Sequence, residues 1–203
     1  APASFGFFIP FAASHIVASQ PNAIVACVAV EVCSAAFYLD DDPGVIISAC
    51  LFSDGAAATI WRGTPGPGGL RAFAFDTAHL PAERDKLRFE QRDGKLRNLL
   101  HRSVPELAAS AVDRLWRARG ERPVSRVVAH TGGRDVLEAL APVVAPHSLD
   151  ASLRVLRDYG NMSSPSVLFA LEETLKDGEP RGGDFWLVSF GAGFAAHSCR
   201  LGH

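Results

Sequence analysis

The chain of 203 residues is long enough for one large domain or two small ones. Hydrophobic residues make up 48% of it and charged residues 21%, which supplies material for a sizeable core and excludes a disordered chain. The net charge of -2 gives no electrostatic reason to expect binding to nucleic acid or to an anionic membrane.

The opening segment is apolar, and the first formal charge is Glu31. Residues 4–19 predict a helix buried on all sides, with a break near Pro10. The segment lacks the basic residues of a signal peptide, and polar residues interrupt it before it reaches the length of a membrane span. Because the chain begins without Met inside a core segment, we expect it to be part of a longer polypeptide.

The next apolar run, residues 23–30, is rich in β-branched residues and typical of a strand covered on both faces. Cys33 follows its carboxyl end, where open α/β sheets bind ligands. Acids at positions 40–42 predict a solvated turn rather than a cation site.

The rest of the chain mixes strands with helices. Apolar runs predict strands over 56–62, 70–75, 124–129, 185–190 and 194–201, and an Asp-Gly turn predicts a hairpin over 87–100. Periodic patterns predict helices over 103–119, 134–140, 149–157 and 164–176. Ser103 fits a capping box, and Ser164 is placed to cap the last helix. This order indicates a layered α/β fold with a mixed sheet.

The four cysteines form no Cys-x-x-Cys pair and have no histidine at metal-ligand spacing. They are Cys27, Cys33, Cys50 and Cys199. Three lie in apolar runs, which is typical of buried, reduced thiols in a cytoplasmic protein. We predict no metal site.

Two polar turns carry the chemistry that the sequence suggests. His130 ends an apolar run and is followed by two glycines soon after, and Asn161 lies in the turn before a helix. A neutral imidazole and a carboxamide both present N–H donors, and two donors aimed at one point would stabilise negative charge on a thioester carbonyl. Taken alone, His130 also fits a structural histidine, Asn161 a turn residue and Phe52 a core residue.

Six segments then carry a resemblance to a known family. VEVCS, LFSDGAAA, DGKLRNLLHRSVP, HTGGRDVLEAL, YGNMSSPSVLFALEE and SFGAGF resemble, in this order, segments of the type III polyketide synthases. These are the chalcone and stilbene synthase-like enzymes of the thiolase-fold superfamily. The resemblance implies a thiolase-like fold, with residues 1–64 ending its N-terminal half and residues 65–203 forming its C-terminal half.

The resemblance also implies roles for individual residues. His130 and Asn161 correspond to the catalytic His and Asn that bind the thioester carbonyl and favour decarboxylation of malonyl-CoA. Phe52 corresponds to a gatekeeper between the CoA tunnel and the reaction cavity, while the implied cavity positions are Cys33, Ser163 and Gly191. The implied substrates are malonyl-CoA and a starter acyl-CoA, without a cofactor, in a cytoplasmic homodimer.

One expected group is missing. The family pattern places a nucleophilic Cys at the start of a buried helix, and counting back from Glu31 that position falls at Ala3. Cys33 is a poor substitute, because we expect it to follow a strand rather than open a helix. We predict the C-terminal portion of a decarboxylative condensing acyltransferase whose N-terminal part lies on a missing or separate segment. The alternatives are a non-catalytic acyl-binding subunit and a ketoacyl synthase III-like enzyme.

Overall fold

The computed structural model describes residues 2–36, 41–64, 66, 68–178 and 181–203, with side chains from residue 10 onward except at 92 and 95. Its helices are α1 (Pro2–Ser19), α2 (Cys33–Ala36), α3 (Pro43–Leu51), α4 (Val104–Ala118), α5 (Arg134–Val144), α6 (Asp150–Tyr159) and α7 (Ser166–Lys176). Its strands are β1 (Ile24–Glu31), β2 (Gly55–Arg62), β3 (Arg71–His79), β4 (Leu87–Arg92), β5 (Lys95–Leu100), β6 (Val124–Ala129), β7 (Asp184–Gly191) and β8 (Ala195–Gly202). A 3₁₀ helix covers Pro81–Lys86.

The largest described sheet has the strand order β3-β8-β7-β6. The pair β6 and β7 is parallel, whereas β8 runs antiparallel to both β7 and β3. The mixed sheet is therefore confirmed. Strands β1 and β2 form an antiparallel pair, and β4 and β5 form the predicted hairpin. At its turn, Asp93 and Gly94 have φ values of 50° and 77°, the conformation that a two-residue turn of this kind requires.

Apolar side chains cover both faces of the main sheet. On one face, Val127 and Ala129 of β6 pack with the buried sides of α4 and α5. On the other face, Val128 packs with Val155 of α6 and Val167 of α7. Successive residues of a strand point to opposite faces, so one apolar run supplies both layers. The result is the layered α/β architecture that the sequence predicts.

Helix α1 continues through Pro10, so the predicted break is wrong. An interior proline removes one backbone hydrogen bond from the helix. The helix is otherwise continuous, and Ala13 and Val17, which follow the proline, are buried. Burial on all sides is also wrong for the described residues, since Phe11 is 42% exposed and Ile16 is 43% exposed.

Strand β1 is not covered on both faces as predicted. Val28 and Val30 are each 58% exposed, and Ile24 is 66% exposed. Among the described residues, β1 pairs with β2 alone. Hydrophobicity indicates that a strand is suited to burial, but it does not identify the surface that covers it.

Two predicted helix caps are replaced by other contacts. The hydroxyl of Ser103 contacts Nδ1 of His101 at 2.7 Å and makes no capping hydrogen bond. Ser164 donates from Oγ to Glu31 Oε1 at 2.7 Å, and Pro165 occupies the cap position of α7. In contrast, Asp42 caps α3 by accepting hydrogen bonds from Gly44 N and Val45 N. Asp40 lies outside the described residues.

Within the described ranges, no helix has both the length and the hydropathy that crossing a bilayer requires. All four cysteines are thiols, of which Cys27, Cys33 and Cys199 are buried as predicted. Cys50 is exposed instead, near the carboxyl end of α3.

Candidate active site

His130 follows directly after β6, and its backbone is fixed by the neighbouring strand. Its N–H donates to the carbonyl of Val188 in β7 at 2.9 Å. The imidazole is 3% exposed and lies edge to face with Phe190, with 5.4 Å between ring centroids. A Cβ on Gly132 would collide with Cζ of Phe190, so a side chain at this position would displace the ring that packs against His130.

Burial determines the protonation state of His130. It lowers the pKa of the imidazole to about 4, because the charged form loses hydration inside the protein. Nδ1 is buried and has no hydrogen-bond partner among the described residues. At pH 7 the ring is therefore neutral and presents one N–H donor.

The depressed pKa of His130 predicts a stability loss in mild acid. The unfolded histidine gains a proton as pH falls through 6.5, whereas the folded one stays neutral until about pH 4. The contribution of the neutral His130 to the free energy of unfolding is therefore complete above pH 6.5. It declines towards pH 4 by about 1.4 kcal/mol per pH unit. Urea unfolding at pH 7 and pH 4.5 should show a smaller loss for His130→Gln than for the natural protein. Equal losses would contradict the assignment of a neutral, buried imidazole.

Asn161 is held by a short backbone bridge to Phe52. Its N–H donates to the carbonyl of Leu51 at 2.9 Å, and its carbonyl accepts from Ser53 N at 3.0 Å. Gly160 precedes it with a φ of 73°, and a Cβ there would lie 2.9 Å from the carbonyl oxygen of Leu51. The polar turn can approach the end of α3 this closely because residue 160 is glycine.

The side chain of Asn161 is oriented by its own turn. Oδ1 accepts a hydrogen bond from Ser163 N at 2.9 Å, which identifies it as the acceptor end of the amide. Nδ2 lies 3.4 Å from the carbonyl oxygen of Gly132. Because Gly132 is two residues after His130, the amide and the imidazole belong to adjoining turns. The amide retains a second N–H that can serve a ligand.

A cavity of about 710 Å³ brings the predicted residues together. Phe52, His130, Asn161 and Ser163 all line it. Gly191 does not, but its neighbour Ala192 does. Cys33 lines a second cavity of about 80 Å³, which shares Phe52, Phe89 and Ser163 with the first. Phe52 therefore lies in a wall common to both cavities. Asn98 and Cys50 also line the larger cavity, although no sequence motif marked either of them as a site residue.

Cys33 differs from its predicted setting. It is the first residue of the one-turn helix α2, so the expectation that it would not open a helix is wrong. Burial, followed by the charges of Glu31 and Asp54, raises the pKa of its thiol to about 11. The thiol is therefore protonated at neutral pH and poorly nucleophilic. Ala3 is the second residue of α1, and its side chain lies outside the described part of the chain.

Comparison with solved structures places this architecture among the thiolase-like layered α/β proteins. The crystal structure of 1,3,6,8-tetrahydroxynaphthalene synthase from Streptomyces coelicolor A3(2), a bacterial type III polyketide synthase, is similar with a TM-score of 0.86. The two sequences are 28% identical, and the match covers 98% of this chain and 60% of that one. Germicidin synthase from Streptomyces coelicolor, also a type III polyketide synthase, matches with a TM-score of 0.84 and 26% identity over 95% of this chain and 53% of that one.

Sequence comparison identifies the family. The family model for the C-terminal domain of chalcone and stilbene synthases matches residues 78–199. The 3,5-dihydroxyphenylacetyl-CoA synthase of Streptomyces toyocaensis is 30% identical over 193 residues, covering 87% of this chain and 50% of that protein. The chain therefore belongs to the chalcone and stilbene synthase family of type III polyketide synthases. It spans about half the length of the curated relatives that it matches.

Proposed function

We propose that the chain contributes the oxyanion site of a type III polyketide synthase. In this reaction malonyl-CoA units are decarboxylated and condensed with a starter acyl-CoA. The observation that carries the proposal is the joint placement of His130 and Asn161 on one cavity, with the amide of Asn161 reaching the turn that follows His130. Arg102 lies on the exposed rim of the same cavity, where its charge favours a phosphate-bearing thioester. Arg134 on the same rim is paired with Glu138 at 2.8 Å.

Decarboxylation needs oxyanion stabilisation rather than a strong base. As the carbon–carbon bond of the malonyl group breaks, CO₂ leaves and its bonding electrons form the thioester enolate. N–H donors of His130 and Asn161 would stabilise the enolate oxygen. The enolate carbon then attacks the thioester carbonyl of the growing chain, and the thiolate leaves. A neutral imidazole suits this role because it keeps its N–H across neutral pH.

Covalent attachment of the starter requires a thiolate. The family pattern expects the nucleophilic Cys at position 3, where this chain has Ala3 in the first turn of α1. An alanine in place of the nucleophile favours a second candidate function. In it, the chain is a non-catalytic subunit that binds acyl thioesters for another polypeptide. Incubation with acetyl-CoA followed by intact-mass measurement separates the two. An acylated species supports the enzyme, whereas binding without acylation supports the subunit.

The proposed function predicts decarboxylation without a starter. The purified protein should convert malonyl-CoA to acetyl-CoA and CO₂, because the donor pair alone stabilises the enolate. Chromatography of the CoA esters measures the conversion, and boiled protein gives the background rate. A rate equal to that background would contradict the assignment of the donor pair.

The proposal also includes a cytoplasmic homodimer that contains the N-terminal half found in the relatives. Exposed apolar side chains on the pair β1 and β2 support a covered surface there, with Val28 at 58% and Ile60 at 61% exposure. Light scattering of the purified protein would measure the mass of the assembly.

A further inference from the structure

Asn98 is a buried polar residue in the wall of the larger cavity. It lies in β5 opposite Phe89 of β4, and both side chains line the cavity. Its side chain is 2% exposed. The ring of Phe89 packs against that of Phe52, with 6.5 Å between centroids. A carboxamide therefore lies beside two packed aromatic rings in the cavity wall.

Ser48 fixes the direction of this carboxamide. The hydroxyl of Ser48 donates to the carbonyl of Gly44 at 2.7 Å, one turn earlier in α3. Its single hydrogen is then in use, so Ser48 Oγ acts as an acceptor towards Asn98. Nδ2 of Asn98 donates to it at 3.1 Å. The N–H₂ group of Asn98 therefore points towards α3, and Oδ1 points away from α3.

The oxygen of Asn98 has no partner among the described residues. Oδ1 is buried, and no described donor lies within hydrogen-bonding distance of it. Burying an unpaired acceptor is unfavourable, and an apolar side chain of the same size would avoid that cost. Because the Asn98 side chain lines the cavity, the missing donor can come from a ligand bound there.

We infer that Asn98 is a specificity-determining residue whose Oδ1 accepts a hydrogen bond from a hydroxyl or amide N–H of the bound thioester. The inference rests on the proposed function for the identity of the ligand. Two parts of an acyl-CoA carry such donors, namely the pantetheine arm and a hydroxylated acyl group. A ligand without a donor at this point would leave the oxygen unpaired and bind more weakly.

The test compares Asn98→Leu with the natural protein, using butyryl-CoA and 3-hydroxybutyryl-CoA as probes in calorimetric titrations. Leucine keeps the branched shape of the side chain, with a somewhat larger volume, and removes the acceptor. We expect Kd to rise about fivefold to tenfold for at least one probe. Equal increases for both place the donor on the pantetheine arm, while an increase for the hydroxylated probe alone places it on the acyl group. Unchanged Kd values for both probes would overturn the inference.

Two further variants distinguish ligand recognition from a structural role. Asn22→Leu makes the same chemical change at an exposed turn and should leave both Kd values unchanged. Ser48→Ala removes the group that orients the Asn98 amide, so it should weaken binding to a smaller extent. Asn98→Leu should keep the melting temperature of the ligand-free protein, and a clear decrease would show that Asn98 is structural and overturn the inference. Failure of the natural protein to bind either probe would instead contradict the proposed function.

Discussion

Malonyl-CoA decarboxylation is expected to fall about 10²- to 10³-fold in His130→Ala, and by a similar factor in Asn161→Ala. Each substitution removes one N–H donor from the developing enolate oxygen and leaves the other residues that line the cavity of about 710 Å³ unchanged. The change should therefore appear in kcat more than in KM. Initial rates of acetyl-CoA formation measure it. Unchanged turnover in both variants would rule out the assignment.

Conservative variants distinguish the loss of an N–H donor from the loss of folded structure. His130→Gln restores an N–H donor in a neutral group and should recover part of the lost rate. Asn22→Ala, at an exposed turn, serves as the matched control for Asn161→Ala. Because both donors act on one oxygen, the double variant should lose less than the product of the two single losses. A fully multiplicative loss would indicate two independent sites.

The free energy of unfolding is expected to fall by about 3–5 kcal/mol in Asp184→Ala. Asp184 is 3% exposed at the start of β7, where it accepts hydrogen bonds from Arg200 Nη1 at 3.0 Å and from Arg122 Nε and Nη2, each at 2.9 Å. Arg200 is itself 2% exposed, so removing the carboxylate leaves a guanidinium charge buried without its counterion. Urea denaturation at pH 7 measures the loss.

The matched control is Asp113→Ala, which removes an ion pair with Arg117 on the surface of α4. The side chain of Arg117 is 78% exposed, so that pair should contribute no more than about 1 kcal/mol. Equal losses in the two variants would contradict a special role for Asp184. Asp184 also supports the candidate active site, because it anchors β7, the strand that carries Val188 and Phe190 beside His130.

Much of the fold could be predicted from short-range patterns. The run that forms β6 and the Asp-Gly turn of the hairpin each define their element within a few residues. Local patterns also placed His130 and Asn161 in polar turns at element ends. The bond from Ser164 to Glu31 could not be anticipated in this way, because 133 residues separate the two. A serine before a helix fits a cap, and a distant carboxylate competes successfully for its hydroxyl.

The other predictions that were wrong or absent concern the residues that pack around a helix or strand. The apolar sequence of β1 indicates a preference for burial, yet only the assembled tertiary structure shows which of its faces is covered. Asn98 in an alternating hairpin strand looks like a residue that faces solvent, and its burial depends on α3 packing against β5. Cys33 opens a helix of one turn, which is too short to produce a recognisable periodic pattern.

The backbone bridge between Phe52 and Asn161 limits how this cavity can be redesigned. Changing the side chain at position 52 alters the aromatic wall without touching the peptide groups that hold Asn161. An insertion or deletion near Leu51 would instead shift the amide donor together with the wall, because Leu51 and Ser53 both bond to the backbone of Asn161. If the proposed function holds, side-chain exchange at constant loop length should alter the cavity while keeping the position of Asn161, whereas variants that change that length should lose decarboxylation.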